Sequence, residues 1–91
     1  MTYSEEQLEN IRKMASVYMT ITEIASIMDI PKEELRQDIL MNESPANKAY
    51  FGGKNATKLL LRKQEMELAK VGSPVALESC RAALLDMEDD E

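Results

Sequence analysis

The sequence predicts an all-α chain, an N-terminal three-helix unit followed by an antiparallel helical hairpin, and three observations carry that reading. Apolar residues recur at helical spacing, as in Leu8, Ile11, Ala15 and Tyr18, then Ile24, Ala25, Ile27 and Met28, then Leu35 and Ile39. Capping residues and prolines mark where each run starts and stops. The apolar content, 44% with one Phe, three Tyr and no Trp, leaves a core of Ile, Leu, Met, Val and Ala, which suits helices and gives a sheet little support.

The first helix is expected over residues 4–19. Ser4 with Gln7 three residues on makes a capping box, and Glu5 and Glu6 put acids in the first turn, where the helix dipole favours them. Thr20 with Glu23 is a second capping box and starts a short helix whose apolar face includes the small Ala25, where a crossing helix can come close. Asp29 tolerates the left-handed conformation and Pro31 can start a helix but not continue one, so the chain turns between them. Leu35 and Ile39 then supply the buried face of a third helix, with Lys32, Glu33, Arg36 and Gln37 pointing outward. Two short helices at a steep angle form a helix-turn-helix pattern, a common unit for laying a helix in a DNA groove. The packing positions that carry it are Ile24, Ala25, Ile30, Leu35 and Ile39, with Asp29 standing where glycine is usual in such units.

Residues 42–45, Asn-Glu-Ser-Pro, mark the boundary between units, because Ser44 can cap and Pro45 can take the first helical position. The expected domains are therefore 1–43 for the helix-turn-helix unit, 44–87 for the hairpin and oligomerisation region, and 88–91 for an acidic tail. Gly52 and Gly53 each cost roughly 1 kcal/mol relative to alanine inside a helix, which predicts a kink or loop at the pair. Gly72, Ser73 and Pro74 stop one helix and start the next. The last helix carries Ala76, Leu77, Cys80, Ala83, Leu84 and Met87 on one side, facing Leu59, Leu60, Met66 and Ala69 of its partner. Five acids among residues 86–91 predict a frayed, solvated end.

Leu59, Leu60 and Leu61 cover roughly 200° of helix surface, whereas one neighbouring helix hides about 100°. Cover must come from the first helix or from a second copy. Ninety-one residues bury only about 60 to 65% of their unfolded surface, which favours self-association. The expected oligomerisation residues are Leu59, Leu60, Leu61, Met66, Leu68, Leu77 and Leu84.

The net charge of -6 divides unevenly. Residues 1–43 hold four basic and nine acidic groups, residues 44–72 six and two, and residues 73–91 one and six, so basic charge is concentrated in the middle. Contact with phosphate is expected to rest on Lys48, Lys54, Lys58, Arg62 and Lys63 as well as on Lys32, Arg36 and Gln37; Lys54, Lys58 and Arg62 stand four apart on one stripe. A solvated stripe, with Arg62 and Lys63 beside Glu65 and Glu67, is the alternative. The lone Cys80 reads as a small core residue, there is no His, and no acid-base pair or metal set is spelled out, so neither catalysis, a cofactor nor a metal is expected. No apolar run approaches the roughly 18 residues that span a bilayer and no signal peptide is present, so an intracellular protein without membrane contact is expected.

Taken in order, a helix-turn-helix, Tyr50-x-Gly52-Gly53-Lys54-x-Ala56 leading into a basic helix, Ala69-x-x-Gly72-Ser73-x-x-Ala76-Leu77 at a helical turn, and an acidic end resemble the small terminase subunits of tailed phages and prophages over about residues 5–87. The resemblance implies a ring-forming protein in the cytoplasm of a bacterial host that binds viral double-stranded DNA and presents it to a large motor and nuclease subunit, without catalysis of its own. Glu33, Glu34 and Asp38 make the second motif helix more acidic than that role requires, which several copies acting together would offset. The same helices would also serve a dimeric transcription regulator, and the acidic ends would suit an adaptor that binds protein.

Overall fold

Five helices and no strand make up the computed structural model, which describes residues 1–91: α1 Glu5–Ser16, α2 Ile21–Met28, α3 Lys32–Leu40, α4 Pro45–Lys70 and α5 Pro74–Asp90. The chain divides into two compact units, Met1–Thr57 and Lys58–Glu91. The first unit extends past the expected boundary at residues 42–45 because the start of α4 belongs to its core.

Both expected capping boxes are formed. At α1 the Gln7 amide donates to Ser4 Oγ at 3.1 Å and the Ser4 amide to Gln7 Oε1 at 2.8 Å; at α2 the Glu23 amide donates to Thr20 Oγ1 at 3.2 Å and the Thr20 amide to Glu23 Oε1 at 2.9 Å. Glu23 therefore holds its carboxyl below the ordinary range, chiefly through the Thr20 amide. α1 stops at Ser16, three residues short of the expected end, because Tyr18 turns left-handed at φ 61° while its amide and that of Met19 return to the Ala15 and Met14 carbonyls. Asp29 closes α2 at φ 56°, the conformation its short polar side chain was expected to tolerate.

The core of the first unit is Ile11, Ile24, Ala25, Ile30, Leu35, Ile39, Ala46 and Ala49, so α1, α2, α3 and the first turns of α4 share one cluster. Ser44 ties α3 to α4: its hydroxyl donates to the Asp38 carbonyl at 2.6 Å and accepts from the Asn47 amide at 3.0 Å, while Asn47 Nδ2 donates to the Ile39 carbonyl at 2.8 Å. Tyr3 lies across α3 with its hydroxyl donating to Asp38 Oδ2 at 2.6 Å; burial and that carboxylate push the phenol well above its usual range.

The glycine pair does not interrupt the helix. α4 is continuous from Pro45 to Lys70, and Gly53 is buried where α4 crosses α1: a Cβ there would collide with the carbonyl oxygen of Arg12. The cost of glycine in a helix is offset by an approach that only a residue without a side chain permits. Thr57 fixes the same crossing by donating its hydroxyl to the Ser16 carbonyl.

In the second unit Gly72 adopts φ 93° after α4, the Gly72 and Ser73 amides donate to the Ala69 and Leu68 carbonyls, and Ser73 caps α5 by accepting from the Ala76 amide at 3.4 Å. α5 runs to Asp90, so the residues expected to fray are helical. Ala76 is this unit's only buried hydrophobic residue. No helix is long and apolar enough to cross a membrane.

Candidate nucleic-acid interface

A groove of about 340 Å³ opens in the first unit where α1 ends and α2 begins. Thr20 and Thr22 come from the start of α2, Arg36 from α3, and Tyr50 and Lys54 from α4, with Tyr18 at the edge. Two cations distant in sequence thus share one concavity. Arg36 reaches it because Leu35 and Ile39 bury the opposite side of α3; Lys54 reaches it because Ala46, Ala49 and Gly53 seat the other face of α4 on the core. Lys54 Nζ stands 5.9 Å from the Tyr50 ring centroid and 6.0 Å from that of Phe51, and the two rings meet edge to face at 5.1 Å.

The start of α2 adds backbone donors. Thr20 Oγ1 takes the Glu23 amide, which leaves the Ile21 and Thr22 amides, the other donors of the first turn, without a partner within the chain. An anion entering the groove would meet a guanidinium, an ammonium, hydroxyls and these amides, a set suited to a phosphate oxygen. Arg36 is held at 3.5 Å by Glu33 in an exposed pair, an interaction of about 0.2–1 kcal/mol that an incoming phosphate can replace. Of the other acids on α3, Asp38 is engaged by Tyr3 and turned to the inner side of the helix.

The remaining expected residues lie elsewhere. Lys32 and Gln37 are exposed on the outer face of α3. Lys48 pairs with Glu43 at 3.7 Å and does not line the groove. Lys58 and Arg62 belong to the second unit, where Arg62 flanks an apolar groove. Sequence reasoning missed Thr20, Thr22 and Tyr50 as lining residues. Thr20 was legible only as a cap and Tyr50 only as part of a spacing; what joins them to Arg36 is the crossing of α4 over the short helices.

The second unit has its own groove, about 520 Å³, lined by Met66, Leu77, Cys80, Ala83, Leu84 and Met87 with Arg62, Glu65 and Arg81 around them. Cys80, expected as a core residue, is only half-buried there. Leu59, Leu60 and Leu61 are 57%, 56% and 42% exposed, and Met66, Leu68, Leu77 and Leu84 are exposed as well. No group of His, Cys, Asp and Glu is arranged to hold a metal ion.

No protein-family model, no curated protein and no solved structure matches this chain.

Proposed function

We propose that this chain is a non-catalytic DNA-binding protein of the small-terminase type, which grips double-stranded DNA through its first unit, self-associates through its second, and hands the DNA to a larger motor subunit in a bacterial cell. In this reading α2, the left-handed Asp29 turn and α3 act as the helix-turn-helix. Lys32, Arg36 and Gln37 present α3 to a groove of the duplex, and Lys54 takes a neighbouring phosphate. The observation that carries the reading is the convergence of Arg36 and Lys54, 18 positions apart, on one groove beside the free amides of α2. Each grip is weak, since α3 also carries Glu33 and Glu34; association supplies several grips at once.

The test is a salt titration of duplex binding by the wild type and by the double variant Arg36→Glu, Lys54→Glu. The wild type is expected to lose affinity steeply as salt rises, and the double variant to lose binding by at least about 100-fold at low salt, equivalent to roughly 1.4 kcal/mol per site. Binding indifferent to ionic strength, or a double variant that binds normally, defeats the proposal. The mass in solution separates a two-fold regulator from a larger packaging ring.

A further inference from the structure

The second unit has almost no interior. Within Lys58–Glu91, eleven large apolar side chains are exposed and Ala76 alone is buried. α4 survives this because its first turns are seated on the core through Ala46, Ala49 and Gly53, and a helix already nucleated extends at little cost. α5 has a slighter anchor, Ala76 with the half-buried Cys80 and Ala83. It starts well, on the Ser73 cap and Pro74, but its 17 residues are close to the ~12–15 below which an isolated helix is marginal. It also ends badly: Asp86, Glu88, Asp89 and Asp90 crowd the end where the dipole is already negative, with no base in the last turn.

α5 is thus the helix that cover from outside the chain would steady most, and two observations point to a second copy as that cover. The eleven exposed apolar side chains of this unit, spread over both helices, together leave on the order of 1,000 Å² in water, enough to supply the about 800 Å² that each partner of a stable interface buries. Arg62 and Arg81 flank the groove and form no ion pair, and neither do the acids at the end of α5, so a copy of the chain offers each the opposite charge. We infer that α5 becomes a stable helix only when the groove of Met66, Leu77, Leu84 and Met87 is covered by a second copy, so that folding of this segment and assembly are one step. This inference rests on the self-association named above and is independent of DNA.

The experiment is amide hydrogen exchange of the full chain over a dilution series, with mass measured by light scattering on the same samples. Expected is a protection of the α5 amides that falls at least about tenfold as the assembly dissociates, while α1 to α3 stay protected. The variant Leu84→Glu is expected to be monomeric, with α5 exchanging fast and the first unit unchanged. An α5 protected in the dissociated wild-type chain overturns the inference and leaves self-association standing. A chain that stays single at every concentration overturns both, whatever its α5 does; α5 protection that appears only on adding DNA or a foreign protein overturns the inference. The salt titration of duplex binding judges the DNA reading separately.

Discussion

Met1–Thr57 and Lys58–Glu91 are both mainly helical and have opposite interiors. Nine of the ten buried hydrophobic residues lie in the first unit and one in the second; of the seventeen large apolar residues left exposed, six lie in the first and eleven in the second. Apolar content is not what separates them. The first unit packs four helical segments around one cluster, so Ile11, Ile24, Leu35 and Ile39 share a common centre and each is wholly removed from water. The second has two helices only, and two helices hide one stripe each. A hydrophobic helix face is thus a core where a third element is present to close it, and an exposed surface where none is.

The sharpest way to break this contrast is a matched pair of truncations. Leu35→Ala, which empties a fully buried site, is expected to cost the first unit about 3 kcal/mol, whereas Leu84→Ala should change the stability of the dissociated chain by no more than about 0.5 kcal/mol. Denaturant unfolding followed by hydrogen exchange in each unit measures both. An equal loss in the two variants would mean that the second unit has an interior after all.

A second pair tests the helix crossing. Gly53→Ala would drive its methyl into the Arg12 carbonyl and is expected to cost about 2 kcal/mol, because backbone on both sides must shift. Gly52→Ala meets only the end of the Arg12 side chain at 3.1 Å, which can swing away, and should stabilise α4 by up to about 1 kcal/mol. Thermal melts would rank the variants; identical behaviour of the two glycines would remove the crossing as the reason for Gly53.

The smallest effect is a pH dependence confined to the first unit. Burial and Asp38 favour the neutral Tyr3 phenol, so its folded pKa lies above the unfolded value of about 10. The stability this contributes is fully present below pH 10 and is lost as the pH rises through the folded pKa. Tyr3→Phe is expected to cost about 1 kcal/mol at pH 7 and to flatten the alkaline decline relative to wild type, with no change in exchange from α5. An alkaline decline equal in both proteins would show that the Tyr3–Asp38 bond carries none of it.

Much of this architecture is written locally. Ser4 with Gln7, Thr20 with Glu23, the left-handed Asp29 and the Gly72-Ser73-Pro74 turn were all legible, because a cap or a turn depends on atoms within a few residues and the chain cannot avoid bringing them together. The apolar spacing likewise named Ile24, Ala25, Ile30, Leu35 and Ile39 as packing positions. Leu59 to Leu61 were readable as too many for one neighbour, since that follows from the angular step of a helix.

What the sequence could not decide is where distant surfaces meet. Gly52 and Gly53 look equally like breaks along the chain; only the crossing of α4 over α1 turns Gly53 into a contact point and leaves Gly52 at the margin. Arg36 and Lys54 are unremarkable charges in their own helices, and only that same crossing brings them to one groove with the start of α2, while leaving Lys48 outside it. Local hydrogen bonding and periodicity set the helices and their ends. Their tertiary packing set the company each side chain keeps, because a contact between residues far apart in sequence is chosen by the fit of whole surfaces and is encoded at neither position alone.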